Sequence, residues 1–528
     1  MFNLKKWNLG LNLSLINSGI FFLASLLLFI FNPNQLPIIL LIPCLFLFSS
    51  LYISFLFVRS GAILFPLTWF ILGSGVYFGF GVLVGGLQVH PYTDKLFGSD
   101  YSYLINANLL NSSSVLIVLI TIYIFQYFSK NKDNLNDKHL KKLENFLGYL
   151  YPYIVLVGMI GVVLHLLFFP IAENLLLRSM LSKISIFTTM SILVYGFLSF
   201  STKSLTNYFA LLVLFLAIFK GFIAFSKFEV ISISLVFVIG VLIRKHSVKN
   251  IIIGFTSIFL VYVLINPMVV YGRASVEYKP NSNTIMDRVN IVSGLFLSYK
   301  NDSNIEVQPV ELEVNEIITE RNPSLDEAVI EEVIVTNSKD SSGMDLITTK
   351  TTKIVDEALE TTTSISSTSF LNLRQHITLY NMVTAFAVRF DVASIQGYLI
   401  NEYNVGRNGN SLDKFWVILI PRILWPEKPI MTDSGGELNS QYYGGGTGTE
   451  LSAIAPTYSA EAYWNYGVIG VLLISIYLGV IIGWFTNLAY RFLNNNEPVY
   501  LLIAFPAILT FAHLESWIVS TFIGGFEI

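Results

Sequence analysis

Apolar runs of roughly 20 residues recur along this chain, the length a helix needs to cross the hydrocarbon of a bilayer. Eleven segments qualify: about 13–32, 36–58, 62–86, 108–128, 147–169, 185–201, 205–225, 228–243, 250–270, 462–488 and 497–516. The balance of residue types agrees, with 54% hydrophobic and 13% charged, where soluble domains carry about a quarter charged. Mean hydropathy is +0.63. The expectation is an all-α, multi-spanning membrane protein. Cys44 is the sole cysteine and sits inside an apolar run, which excludes disulfides and cysteine metal sites. A net charge of −3 argues against a nucleic-acid partner. Lys5 and Lys6 precede the first run, and no small-residue cleavage site follows it, so that run reads as a retained helix.

Lysine and arginine set the expected orientation, because they gather in cytoplasmic loops. Arg59 follows the second span, and Lys130, Lys132, Lys138, Lys141 and Lys142 follow the fourth. Lys203 follows the sixth, Arg244, Lys245 and Lys249 the eighth, and Arg491 the tenth. Of the opposite short gaps, Asn32–Leu36 holds no cation and 87–107 holds only Lys95. With a cytoplasmic N-terminus, three regions follow: a membrane domain of nine spans (1–270), a large periplasmic loop domain (271–461), and C-terminal membrane helices (462–528). A connection of about 190 residues is far longer than a simple connector needs to be, which points to function there.

Inside the loop domain, Asp302–Glu360 carries fifteen acidic residues against four basic ones, followed by a Thr/Ser run. High charge and few aromatics predict a flexible insertion over 302–370. Leu371–Tyr403 shows three- and four-residue apolar spacing and reads as a helix carrying Arg389 and Asp391. Phe415–Ile420, bounded by Pro421, is too short to span and reads as an interfacial helix with Trp416 and Trp425 at headgroup level.

The candidate chemistry lies on the outer side. Lys220 and Lys227 flank the turn between spans seven and eight, Arg273 follows span nine, and Arg389, Arg422 and Lys428 come from beyond the insertion. Cations placed against the orientation rule suit an anion at the outer leaflet, such as a lipid-linked pyrophosphate; the plainer reading is snorkelling to ordinary headgroups. Glu461 stands in the first turn of span ten, just after Pro456. There it either complements the helix dipole or, partly desolvated, serves as a general base. Asp391, Asp433 and Glu437 are weaker candidates for that role. The glycines of 444–450 lack the lysine of a phosphate loop and read as a mobile cover. Six scattered histidines support no metal site.

The run PRILWPEKP, the glycine-rich loop after it, and AEAYWNYGVIG together resemble the Wzy-type O-antigen and exopolysaccharide repeat-unit polymerases. The residues that carry this are Pro421, Arg422, Trp425, Pro426, Lys428 and Pro429, then Glu461, Asn465, Gly467 and Gly470, with VRFD around Arg389. The likeness covers about a hundred residues, and the 302–370 insertion departs from it. It implies a glycosyltransferase C-like membrane enzyme working without nucleotide sugar, metal or other cofactor. Such an enzyme moves a growing glycan from undecaprenyl pyrophosphate to a lipid-linked repeat unit, in the inner membrane, with membrane lipids and a chain-length regulator as partners. Glu461 would be its base, and Lys220, Lys227, Arg273, Arg389, Arg422 and Lys428 would hold the pyrophosphate. An O-antigen ligase is the related alternative, although Ala455, Pro456 and Thr457 stand where a histidine would be expected. A lipid-linked oligosaccharide flippase should carry charge inside several spans, which these lack.

Overall fold

The structure is a computed structural model. It describes residues 4–33, 35–60, 62, 65–87, 97, 100–128, 138–168, 175–198, 205–224, 226–244, 247, 249–254, 256–262, 269, 289, 314–321, 330–339, 345–355, 358–364, 390–413, 425, 456–495 and 514. The chain divides into two compact units: Met1–Val263 with Val383–Ile528, and Leu264–Met382. The second half of the expected loop domain therefore belongs with the helices of the first unit.

In the first unit the helices are α1 (Leu4–Phe31), α2 (Leu36–Arg59), α3 (Pro66–Gly86), α4 (Ser102–Phe128) and α5 (Lys138–Phe168). They continue as α6 (Leu175–Leu198), α7 (Leu205–Ile223), α8 (Lys227–Arg244), α9 (Val392–Asn404) and α10 (Tyr458–Asn495). Seven are long and apolar enough to cross a membrane: α1, α2, α3, α4, α5, α7 and α10. That makes the protein a multi-spanning helical membrane protein, with fewer spans among the described residues than the eleven expected. Among the described residues, the expected spans 185–201, 228–243 and 250–270 coincide with shorter apolar stretches, Phe187–Leu198, Glu229–Leu242 and Lys249–Tyr262. Lys227, Glu229 and Arg244 place charge at both ends of α8. Of the expected span 497–516 only Leu514 is described.

α1 and α2 form an antiparallel pair. Phe21 stacks on Phe46 with ring centroids 4.0 Å apart, and Trp7, near the start of α1, meets Phe57, near the end of α2, at 4.8 Å. Against them lies α3, 78% of whose span is buried, compared with 28% for α1 and α2, so α3 is the interior span. Its middle, Gly75–Phe80, is a π-helical stretch, a form that concentrates at functional sites. Glycines make its burial possible. A Cβ at Gly79 would meet the Pro43 carbonyl of α2 at 2.9 Å, and one at Gly81 would clash with the Phe390 carbonyl just ahead of α9. Small residues at such positions let backbones approach closely where no hydrophobic effect drives helix association.

Two cores result. One joins α1–α4, α9 and α10 around Phe57, Phe70, Phe78, Ile122 and Tyr458. The other joins α5–α8 around Tyr151, Ile192, Phe197 and Val236. Within the second, α6 and α8 cross at Gly196 and Gly240, whose Cα atoms face each other. A Cβ at Gly240 would lie 3.1 Å from the Gly196 Cα and would also clash with the Leu193 carbonyl.

The second unit contains a sheet. Composition predicts a flexible insertion here, but β1 (Val314–Arg321), β2 (Ile330–Lys339), β3 (Asp345–Val355) and β4 (Ala358–Ser364) form an antiparallel meander in the order β1-β2-β3-β4. The strands are rich in Thr, Val and Ile, residues that favour a pleated conformation. The register sets Lys353 across from Glu331 on one side and Glu360 on the other, so the few lysines are spaced among the acids.

Substituting Gly240→Ala should destabilise the α6–α8 crossing by about 1–3 kcal/mol through overpacking. Thermal unfolding of the detergent-purified protein measures this, and an unchanged midpoint would refute the close crossing.

Candidate active site

The site is assembled where α9, the loop after it and the start of α10 pack on α4. Asp391 begins α9. Its Oδ1 accepts the Ser394 backbone N–H at 3.1 Å and its Oδ2 accepts the Ser394 hydroxyl at 2.7 Å, a side-chain N-cap. The helix therefore starts after Asp391, whereas the periodicity placed Asp391 inside it. Of the earlier part of the expected helix, 371–389 lies outside the described residues. The carboxylate is buried, and a Cβ at Gly85 of α3 would sit 2.9 Å from its Oδ1. As a base candidate, Asp391 is thus already committed to seating α9.

One turn further, Gln396 is fully buried and exchanges amide hydrogen bonds with Asn111 of α4. Gln396 Nε2 donates to Asn111 Oδ1 at 2.8 Å, and Asn111 Nδ2 donates to Gln396 Oε1 at 2.9 Å. The same Nε2 donates to the Thr457 hydroxyl at 2.7 Å, and the Ser459 hydroxyl donates to Asn111 at 3.2 Å. A second link joins Ser114 of α4 to Tyr458 and Ser475 of α10, at 2.9 and 2.8 Å. In an apolar medium an unpaired amide costs several kcal/mol, so these pairs determine where the start of α10 can lie.

The loop 405–413 is held just as closely. Arg407 makes a two-pronged ion pair with Glu402, with Nη2 to Oε1 at 2.6 Å, and its backbone N–H returns to the Glu402 carbonyl. The Glu402 hydrogen bond and charge raise the Arg407 pKa, keeping the guanidinium charged. Burial, then the Glu402 charge, raises the Tyr398 phenol. The Trp464 indole donates to the Arg407 carbonyl at 3.0 Å, while the Gly409 N–H donates to the Trp464 carbonyl at 3.0 Å. Only a glycine lets the loop cross the indole there, since a Cβ at Gly409 would stand 2.5 Å from the ring.

Glu461 lies beneath this loop, fully buried. The Ser411 hydroxyl donates to its Oε1 at 2.7 Å, Asn465 Nδ2 donates to Ser411 Oγ at 3.0 Å and to the Glu461 carbonyl at 2.9 Å, and Asn465 Oδ1 accepts the Leu412 N–H at 3.2 Å. Glu461 belongs to the first turn of α10, as the sequence suggests, but it stands on a separate piece of that helix. The α-helical geometry breaks at Tyr466 and at Gly467, whose φ of 60° and ψ of −148° suit glycine alone. A two-turn helix thus carries Glu461 and Asn465, and the long lipid-exposed span begins beyond it.

Of the six cations expected to hold pyrophosphate, Lys220 is the one whose side chain is described. It is buried in the last turn of α7, with Nζ 3.2 Å from Glu229 Oε2 in the first turn of α8. Each charge sits at the helix end that favours it. Lys220 borders the core formed by α5–α8, and Glu461 lies in the other core. Lys227 is placed only by its backbone, at the start of α8. Arg273, Arg389, Arg422 and Lys428 lie outside the described residues, as do Asp433, Glu437, the 415–420 segment and the 444–450 glycines; within PRILWPEKP only Trp425 is described. Among the described residues no group of three or more His, Cys, Asp or Glu converges as a metal site would require.

Sequence reasoning overlooked Asn111, Gln396 and Ser411. Asn111 could have been found, because an amide inside an apolar run needs a partner.

Glu461→Gln keeps an acceptor for Ser411, whereas Glu461→Ala removes the acceptor of the Ser411 hydroxyl in a buried site. The alanine variant should therefore lose about 1–3 kcal/mol more stability than the glutamine variant, read from paired thermal unfolding curves; equal losses would contradict the geometry. Comparison with known protein families, curated proteins and solved structures returns no match to this chain.

Proposed function

We propose that this protein is a polysaccharide polymerase of the cytoplasmic membrane, a glycosyltransferase that extends a glycan carried on undecaprenyl pyrophosphate at the periplasmic face. The observation that carries this reading is the hydrogen bond from the Ser411 hydroxyl to Glu461 Oε1. A sugar hydroxyl about to lose its proton would approach the carboxylate in the same way, so the Ser411 hydroxyl marks where an acceptor hydroxyl would bind. Supporting it is the resemblance of PRILWPEKP and AEAYWNYGVIG to the repeat-unit polymerases, with Glu461 and Asn465 at their positions in that pattern.

The chemistry balances with these groups. Glu461 takes the proton of the acceptor hydroxyl as the oxygen attacks the anomeric carbon of the donor glycan. The bond from that carbon to the pyrophosphate oxygen breaks, and the electron pair leaves with the pyrophosphate. Cations stabilise the charge that develops there; Arg422 and Lys428, next to the glycine-rich loop in sequence, are the first choice. Lys220 could join them only by giving up Glu229. Asn465 fixes the Ser411 hydroxyl that marks the acceptor's place, and the surrounding apolar core keeps the carboxylate from being solvated. On this reading the partners are lipid-linked repeat units, membrane lipids and a chain-length regulator, and the product belongs to a surface polysaccharide such as lipopolysaccharide.

With purified protein and a defined lipid-linked repeat unit, the wild type should produce a ladder of longer products. Glu461→Gln should slow elongation by about 10²–10⁴-fold, the usual contribution of a general base, while the protein stays folded; a full ladder from this variant would remove Glu461 from the mechanism. Arg422→Ala and Lys428→Ala should each weaken binding of a lipid pyrophosphate analogue by roughly tenfold or more, through loss of a charge-assisted contact. Unchanged affinity would exclude them from the leaving-group site.

A further inference from the structure

The rim of the candidate site has features that neither the base nor the cations use. Tyr403, at the end of α9, meets Tyr463 of the short α10 segment edge to face, with ring centroids 5.1 Å apart. Tyr466, at the helix break, is 50% exposed. Both α10 phenols are tethered by protein: Tyr463 Oη donates to Asn404 Oδ1 at 3.2 Å and Tyr466 Oη donates to Asp413 Oδ1 at 3.2 Å. Asn404, Asp413 and Arg407 are all exposed. The loop that presents them is fixed by the Glu402–Arg407 ion pair and by the Trp464 and Asn465 contacts.

We infer that this rim of aromatic rings, amide, carboxylate and guanidinium is a saccharide subsite that holds the acceptor repeat unit; the assignment to the acceptor rests on the polymerase reading above. Pyranose rings present apolar C–H faces that pack on aromatic faces and hydroxyl edges that need fixed donors and acceptors, and the rim supplies both. Asp413 accepts from sugar hydroxyls, and Arg407 donates to them. A loop already held in place loses little conformational freedom when a ligand binds.

Asp413 lies two residues after Ser411, whose hydroxyl bonds Glu461, and Tyr466 directly follows Asn465, which bonds Ser411, so the rim and the base share the 405–413 loop and the short start of α10. The group that Glu461 deprotonates belongs to the acceptor, so the sugar held here is the acceptor's. A membrane-anchoring belt is the other use of such tyrosines, but these phenols are directed to Asn404 and Asp413, and most of the exposed 404–410 run is polar.

The test uses the full-length protein in nanodiscs. The probe is the free oligosaccharide released by mild acid from the lipid-linked repeat units of the producing cells, and saturation-transfer NMR reads its binding. Wild type should bind it. Tyr466→Ala and Asp413→Ala should each weaken binding about three- to tenfold, while Tyr466→Phe, which retains the ring, should keep most of it. Unchanged binding by Tyr466→Ala and Asp413→Ala, or no binding by wild type, would overturn the subsite. If those variants instead leave glycan binding intact but reduce retention of the protein in vesicles, the rim is a membrane anchor and the proposal falls. Rim-dependent binding without any product ladder would sustain the subsite and refute the polymerase reading; a ladder with a KM unaffected by Tyr466→Ala would do the reverse.

Discussion

Buried amides in an apolar surround organise the part of the molecule that matters most. Water is not available to satisfy Asn111 or Gln396 at their depth, so each must find the other, and once paired they hold α4 to α9 in one register. Thr457 extends the arrangement to the start of α10 through the same Gln396 nitrogen, and its own carbonyl accepts the Glu461 N–H at 3.0 Å. The position of the candidate base therefore follows from a requirement for polar satisfaction on the two helices packed beside it. Apolar packing alone would permit helices to slide or rotate at small cost; reciprocal amide pairs allow one arrangement.

Close backbone approach is the complementary device. α3 accepts its neighbours because glycines face them on two sides, and the backbone just before α9 lies against Gly81 and Gly85. Asp391 can cap α9 while buried only because no Cβ of α3 occupies that space. Seen this way, the interior span serves less as a barrier than as a platform on which a segment from outside the membrane runs is laid down.

Most of the helical architecture was legible in the sequence because the physical demand is coarse: a run of sufficient length without charge. It is less legible where charges stand at the helix ends, as Lys227, Glu229 and Arg244 do in α8. Charge composition did not single out the strands between Val314 and Ser364. Acidic residues there alternate with Thr, Ile and Val, and a meander tolerates charges that a packed core would reject. For the site, Glu461 and Asn465 could be picked out by their place beside Pro456 and an aromatic–Asn–aromatic–Gly run, whereas Ser411 could not. It lies 50 residues away in an unremarkable loop, and only the three-dimensional return of that loop over Trp464 brings it to the carboxylate.

Gly467 is locked by two independent causes. Its φ and ψ exclude a side chain on backbone grounds, and the Tyr403 hydroxyl occupies the space a side chain would need, 2.5 Å from an ideal Cβ. Shortening Tyr403 would remove the second obstacle and leave the first untouched. No single compensating change elsewhere can thus admit a side chain at this joint.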